Sequence, residues 1–171
     1  MNRAFSESFA VRPYVEFSRS SPHVDVTPAN ERLGVLFHHS VMSFEETLDF
    51  MCGTPSEVSY HCLIARDGRR CTLVADEHRA WHAGASVFLG RVRCNDFLLG
   101  VAFAGDTYVE PLTDAQLDSA LEWLEKRWQR YGWTTERMID HRQVSPGRKD
   151  DLNPVEWQRL HAAIAKRFAQ R

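Results

Sequence analysis

The amino-acid sequence predicts an α/β (α+β) fold, a single domain with a central mixed β-sheet flanked by helices. Continuous apolar runs of strand length cover residues 34–39 and 97–105. An Asp67-Gly68 pair between two shorter runs indicates a β-hairpin, because this dipeptide tolerates the positive φ of a tight turn. Capped stretches with apolar residues three and four positions apart predict helices between and after these runs.

The length and the prolines suggest how the chain is divided. With 171 residues it is large enough for one domain with its own hydrophobic core. Residues 1–32 contain Pro13, Pro22 and Pro28 and show little periodicity. We expect them to form an irregular N-terminal arm that packs on a domain made of residues 33–171.

The first strand and helix of this domain have clear local signals. The first apolar run ends in His38 and His39, so one of these side chains is expected to project from the end of a buried strand. Ser43 and Glu46 form a capping-box pattern, in which the hydroxyl accepts from the amide three residues later and the carboxylate reaches back. This pattern predicts a helix over residues 44–51.

The middle of the chain predicts the hairpin and the central strand. Residues 58–65 form one apolar strand, and residues 70–75 return beside it after the Asp-Gly turn. Residues 76–84 predict an irregular connection. Residues 97–105 then predict a strand at the centre of the sheet.

Two longer helices are predicted in the last third of the chain. A second capping box begins at Thr113, and the helix that it opens is ended by Gly132. The last helix has Asn153 as its cap, Pro154 in its first position and Glu156 to close the box. Their buried stripes are Leu117, Leu121, Leu124 and Trp128 in the first and Trp157, Leu160, Ile164 and Phe168 in the second.

Composition excludes several classes of protein. A net charge of -2 provides no strong field toward nucleic acid or an anionic membrane, so we expect no nucleic-acid partner. No apolar run is long enough for a membrane span. The first residues lack the apolar segment of a secretory signal, so a protein made in the cytoplasm is expected, with four free cysteines.

Residues 140–151 are polar, rich in turn formers and without periodicity, and they are the strongest candidate for a functional loop. His141 near the start of the loop and Asp150 or Asp151 at its end are potential metal ligands. Together with either histidine of the first strand, they would give two imidazoles and one carboxylate, the donor set of a catalytic zinc site. Spacing alone leaves open hydrogen-bonded histidines and a solvated loop.

Six motifs occur in one order along the chain. They are Phe-His-His-Ser at 37–40, Val-Ser-Tyr-His-Cys-Leu-Ile at 58–64, Arg-Asp-Gly at 66–68, Arg-Ala-Trp-His-Ala-Gly at 79–84, Arg-Cys-Asn-Asp-Phe at 93–97 and the stretch 141–151. Through them, residues 33–165 resemble the zinc-dependent N-acetylmuramoyl-L-alanine amidases. That superfamily includes AmpD-type recycling amidases, phage lysozyme-type amidases and peptidoglycan recognition proteins.

The resemblance implies an activity and a metal site. It implies hydrolysis of the amide bond between N-acetylmuramic acid, or its 1,6-anhydro form, and L-alanine in peptidoglycan or muropeptides. Zn²⁺ would be held by His38, His141 and Asp151, would acidify a water toward a pKa of ~7 and would polarise the scissile carbonyl. Lys149, two residues before the aspartate, would stabilise the developing oxyanion.

One position departs from the recycling amidases. They carry a catalytic glutamate where this chain has Ala102. Phage lysozyme-type members lack that glutamate and have a tyrosine that matches Tyr60. Tyr60 is therefore the second catalytic candidate. With an unperturbed pKa of ~10 it is a poor base at neutral pH, but it can orient the zinc water or donate to the carbonyl. The alternatives are a core role for Tyr60 and, for the whole chain, a non-catalytic module that binds peptidoglycan fragments, which Ala102 favours.

The resemblance also implies substrate contacts. Arg93 and Asn95 match the stretch in which the recycling amidases hold the acidic groups of the stem peptide, and a guanidinium can bind a carboxylate through two hydrogen bonds. Trp81 and His82 match a cleft wall that could pack on sugar, although core packing is an equal alternative for Trp81. We expect a monomer in the cytoplasm, with release as a phage endolysin or secreted effector left open.

Overall fold

A six-stranded mixed sheet forms the centre of the computed structural model, which describes residues 13–26, 31–53 and 55–169. The strands are β1 (Glu16–Ser18), β2 (Val24–Asp25), β3 (Gly34–His39), β4 (Cys62–Ile64), β5 (Arg70–Thr72), β6 (Arg79–Ala80), β7 (Val87–Phe88), β8 (Arg91–Val92), β9 (Leu98–Phe103) and β10 (Met138–Asp140). The helices are α1 (Phe44–Cys52), α2 (Asp114–Tyr131), α3 (His141–Val144) and α4 (Pro154–Phe168).

The strand order of the main sheet is β1-β5-β4-β9-β3-β10. Strands β4, β9, β3 and β10 run parallel to one another, whereas β5 is antiparallel to β4. Two small pairs, β2 with β6 and β7 with β8, lie outside this sheet. The mixed sheet with flanking helices confirms the predicted fold class.

The two faces of the sheet carry different layers. Val35 and Phe37 of β3 belong to the apolar core that includes α2 and α4. Successive residues of a strand point to opposite faces, so Leu36 and His38 face the other side. Ala102 of β9 pairs with His38 and belongs to the cluster formed with α1. The end of β3 on this second face is where the functional side chains gather.

Helix starts were predicted well, with one exception. Ser43 with Glu46 and Thr113 with Gln116 form the predicted capping boxes of α1 and α2. Asn153 caps α4, but the prediction that Glu156 closes a box there was wrong. Its carboxylate instead accepts the backbone N–H of Leu112 at 3.0 Å and lies 3.4 Å from Arg159, because a buried amide leaving the previous loop needs an acceptor. The predicted strand over residues 58–65 is shorter, with only β4 paired.

The N-terminal segment contributes paired strands to the fold. In its described part, β1 runs parallel to β5 and β2 runs antiparallel to β6. Pro28 and residues 1–12 lie outside the described residues, and the division of the chain at residue 32 stays a prediction. No helix in the described ranges has the length and apolarity needed to cross a membrane. Three of the four free cysteines are buried: Cys62, Cys71 and Cys94.

Candidate metal centre

Three separate elements bring the predicted metal ligands together. His38 is the fifth residue of β3 and lies on the face opposite α2 and α4. The neighbouring parallel strand β10 ends at Asp140, whose side chain caps α3, and His141 is the first residue of that helix. The backbone N–H of His141 donates to the carbonyl of Asp151 at 3.0 Å, which holds the far end of the loop beside its start. The loop prediction was wrong for residues 141–144, which form this helical turn.

The ligand atoms converge closely. The nearest donor atoms of His38, His141 and Asp151 all lie within 4.8 Å of one another, and all three residues are buried. The Nδ1 atom of His38 lies 3.1 Å from one carboxylate oxygen of Asp151, and Nδ1 of His141 lies 3.2 Å from the other. The two imidazole rings are almost perpendicular, with centroids 4.6 Å apart.

The hydrogen bonds of these residues show that they fit a cation. Nε2 of His141 lies 3.1 Å from the carbonyl oxygen of Ala83, which can only accept, so Nε2 carries the hydrogen and the lone pair of Nδ1 faces Asp151. Burial lowers the pKa of His38 to about 4, against the opposing effect of Asp151. An imidazole lone pair that faces a carboxylate oxygen at this distance repels it unless a cation lies between them.

The geometry also decides between the neighbouring candidates. His39 points away from the cluster, and its Nδ1 lies 2.7 Å from the hydroxyl of Thr107. Asp150 is exposed, and its backbone carbonyl accepts the hydroxyl of Tyr108 at 2.9 Å. His38 and Asp151 are therefore the members of the cluster.

A cavity of about 430 Å³ opens over the cluster. Cavities of this size commonly hold small ligands. Its lining consists of His38, His39, Ser40, Val41, Met42, Phe50, Met51, Val58, Tyr60, His82, His141, Lys149, Asp150 and Asp151. The cluster lies near the carboxyl ends of parallel strands, where open α/β sheets commonly bind their ligands.

Comparison with known proteins identifies the family. The model of the Amidase_2 family, described as N-acetylmuramoyl-L-alanine amidase, matches residues 29–154. This chain belongs to that amidase family.

Relatives and solved structures agree with the family match. The 1,6-anhydro-N-acetylmuramyl-L-alanine amidase AmpD of Enterobacter cloacae is 33% identical over 84% of this chain and 87% of that protein. A crystal structure of an AmpD derivative superposes with a TM-score of 0.77 and 31% identity over 87% of this chain and 94% of that one. The amidase AmiD of E. coli, solved with anhydro-N-acetylmuramic acid-L-Ala-D-γ-Glu-L-Lys as its substrate, has a TM-score of 0.68 and 25% identity over 77% of this chain and 57% of that one.

Both residues predicted to be catalytic, Tyr60 and Lys149, line the cavity over the candidate metal cluster. The ring of Tyr60 lies 5.1 Å from the ring of His38, measured between centroids. Burial and the negative charge of Asp151 raise the pKa of Tyr60, so its hydroxyl stays protonated at neutral pH. Lys149 is exposed on the loop, and its positive charge contributes to the lowered pKa of His38.

Three of the predicted substrate contacts lie in an adjoining cavity of about 280 Å³. Trp81 lines it while its indole N–H donates to Asp25 at 3.1 Å. Arg93 is 66% exposed along its side chain and lies 3.3 Å from Asp96. The side-chain oxygen of Asn95 accepts the backbone N–H groups of residues 82 and 83, so part of its role is to hold the loop between the two cavities.

The fourth predicted contact, His82, is buried, with 7% of its surface exposed. Its Nδ1 lies 3.1 Å from Nε2 of His38, and its Nε2 lies 3.1 Å from the carbonyl oxygen of Leu98. Both ring nitrogens are therefore occupied within the protein.

The apolar rim of the cavity over the candidate metal cluster was not predicted from the sequence. Val41, Met42 and Phe50 line it, and Val41 adopts a left-handed φ of 56°, which is unusual for a β-branched residue. Val41 and Met42 precede an ordinary helix-capping signal at Ser43 and Phe50 lies in the helix after it, so the sequence carries no mark of this role. His39, set aside as a ligand, also borders the cavity.

Proposed function

We propose that this chain is a zinc-dependent amidase that hydrolyses the bond between N-acetylmuramic acid, or its 1,6-anhydro form, and L-alanine. The observation that carries the proposal is the convergence of His38, His141 and Asp151 within 4.8 Å beneath a cavity, in a chain of this amidase family. Overall, the hydroxyl of a water goes to the lactyl carbonyl carbon, the C–N bond breaks and the amine of L-alanine leaves with a proton.

The donor set favours zinc among divalent cations. Two imidazole nitrogens and one carboxylate with a position left for a further ligand are typical of catalytic zinc sites, whereas magnesium and calcium prefer oxygen ligands. His38, His141 and Asp151 would hold the ion. When bound, zinc supplies Lewis-acid polarisation of the scissile carbonyl and a more acidic water.

Tyr60 and Lys149 supply the two groups that stabilise the negative charge developing on the reacting oxygen. Because the hydroxyl of Tyr60 stays protonated, it acts as a hydrogen-bond donor to a reacting oxygen and not as a base. The ammonium of Lys149 lies at the edge of the same cavity and offers fixed positive charge to the carbonyl oxygen as it becomes anionic. Neither role requires a carboxylate at position 102.

The adjoining cavity supports binding of the stem peptide. The exposed guanidinium of Arg93 can form a bidentate contact with a peptide carboxylate, and Trp81 offers an aromatic wall. The amide nitrogen of Asn95 is left to donate to substrate, because its oxygen is engaged by the loop. The AmiD complex with an anhydromuramyl tripeptide supports the same substrate class.

The test is cleavage of a defined muropeptide. Zinc-loaded protein is incubated with anhydro-N-acetylmuramyl-L-Ala-D-γ-Glu-L-Lys, and the released peptide is quantified by mass spectrometry. Asp151→Ala is expected to abolish release and to lose zinc. Asp150→Ala is the matched control, because this neighbouring carboxylate is exposed and the contact with Tyr108 uses the backbone carbonyl of Asp150, which the substitution keeps. It is expected to keep wild-type release.

Two results would contradict the proposal. Equal release by Asp151→Ala and wild type would exclude this metal centre from the reaction. Binding of the muropeptide without cleavage of it or of purified sacculi would leave the peptidoglycan-binding module, the alternative that Ala102 favours.

A further inference from the structure

His82 connects a metal ligand to the backbone of the central sheet. Its ring lies between Nε2 of His38 and the carbonyl oxygen of Leu98, with both distances at 3.1 Å. A carbonyl oxygen only accepts hydrogen bonds, so Nε2 of His82 carries the hydrogen of the neutral ring. Its Nδ1 then carries a lone pair and must accept from His38.

This acceptor determines the tautomer of His38. If Nε2 of His38 donates to His82, the single ring hydrogen of neutral His38 is on Nε2. The lone pair of His38 is then on Nδ1, the atom that lies 3.1 Å from Asp151. A fixed carbonyl in β9 thus orients two histidines in series.

We propose that His82 is a positioning residue of the metal centre, which holds the ring of His38 with its Nδ1 lone pair directed at the metal position. The inference rests on the proposed function, because it assigns His82 a role toward the ion that His38 would bind. It replaces the expected direct contact of His82 with sugar. Such partners of metal-binding histidines commonly contribute ~10–100-fold to metal affinity.

The ring of His141, the second proposed histidine ligand, is also oriented by a hydrogen bond from its other nitrogen. Nε2 of His141 donates to the carbonyl oxygen of Ala83, the residue directly after His82. Two successive residues of one loop therefore fix both imidazoles, one through a side chain and one through the backbone. The loop itself is held by Asn95, which accepts the N–H groups of His82 and Ala83 at 3.1 and 2.8 Å.

The imidazole ring of His82 packs against the sheet at Gly100, where there is no side chain. A Cβ atom added to Gly100 of β9 would lie 2.5 Å from Cγ of His82, so the ring packs directly over the glycine. Any side chain at Gly100 would move the ring away from His38. This close approach gives a second way to disturb the contact while His82 itself is kept.

The experiment compares three substitutions of His82: two that each keep one of the two hydrogen-bonding functions of the imidazole, and one that keeps neither. His82→Asn keeps an oxygen near the position of Nδ1 and so an acceptor for His38, but it cannot reach Leu98. His82→Gln keeps an N–H for Leu98 but lacks the acceptor, and His82→Leu lacks both. Zinc affinity is measured by competition with a chromogenic chelator, and Co²⁺ absorption spectra report the geometry of the substituted centre.

We expect His82→Leu and His82→Gln to weaken zinc binding about 10–100-fold and His82→Asn to keep affinity within about threefold of wild type. If His82 had a purely structural role, His82→Gln, which keeps the hydrogen bond to Leu98, would bind zinc at least as tightly as His82→Asn. Gly100→Ala is expected to lower affinity and to alter the Co²⁺ spectrum with His82 present.

The matched control is His23→Leu. His23 is also buried, and its Nε2 hydrogen-bonds to a backbone carbonyl, that of Gly53, at 2.7 Å. It is expected to lose thermal stability without the change in zinc affinity. Wild-type affinity in His82→Leu would overturn the role of His82 and leave the proposed function intact. Absence of zinc binding by wild type would overturn both.

Discussion

His61 provides a test of stability against pH that depends on one buried side chain. The N–H of Gly100 donates to its Nδ1, and its Nε2 hydrogen bonds to the carbonyl of His78. Burial lowers the pKa of His61 from 6.5 to about 4, and the contact with His78 offsets only part of that effect. Both nitrogens are satisfied when the ring is neutral, so protonation breaks the hydrogen bond from Gly100.

The sign and size of the effect follow from these pKa values. Between pH 6.5 and about 4 the unfolded chain binds a proton that folded His61 excludes, so the free energy of unfolding falls as the pH falls through this window. The whole gap corresponds to about 3 kcal/mol, of which about 2 kcal/mol is lost between pH 7 and pH 5. Stability contributed by neutral His61 is fully present only above pH 6.5.

The assay is urea unfolding of wild type and His61→Asn over this pH range, with a chelator present so that metal loss does not contribute. Asparagine can accept the N–H of Gly100 but does not titrate. It is expected to be less stable at pH 7, with a difference from wild type that shrinks by about 2 kcal/mol at pH 5. Thr47→Val, which loses buried hydrogen bonds but no titratable group, should retain the wild-type slope. Parallel pH dependences of wild type and His61→Asn would refute the reasoning.

The two residues proposed to act in catalysis allow sharper kinetic tests. Tyr60→Phe is expected to lower kcat about 10²-fold with unchanged zinc content, because it removes only the donor hydroxyl; a wild-type rate would assign Tyr60 to packing. Lys149→Met is expected to lower kcat by about 10²–10³-fold with KM little changed, and Lys149→Arg should restore part of the rate, as measured by steady-state kinetics. A loss confined to KM would place Lys149 in substrate binding.

Elements with strong local signals were predictable from the sequence. Strand β3 and helix α2 have a continuous apolar run and a complete capping box, and both were placed within a residue or two. The β7–β8 hairpin was missed because its turn is Leu89-Gly90, with positive φ at both residues. Such turns usually show Asn-Gly or Asp-Gly, and a leucine in that conformation gives no warning.

The choice between His38 and His39 shows where spacing is insufficient. Adjacent strand residues point to opposite faces, so only one of the two can join His141. The face of β3 that carries Phe37 is covered by α2 and α4, which leaves His38 on the open face. That assignment depends on helices more than 70 residues later in the chain, and the resemblance to the amidases could indicate it where spacing could not.

Because position 102 is an alanine, this centre has one negatively charged side chain fewer than a relative with glutamate there. Ala102 is fully buried, pairs with His38 across the sheet and lies in the apolar cluster of α1. The proposed metal ligands thus include a single carboxylate, Asp151, with two imidazoles. With a divalent cation bound and the ammonium of Lys149 at the same cavity, the centre would be net positive, which would favour an anionic oxygen at the carbonyl. A glutamate at position 102 would cancel part of that charge, so this chain is expected to depend on Lys149 and on the protonated Tyr60 more strongly than relatives that have one.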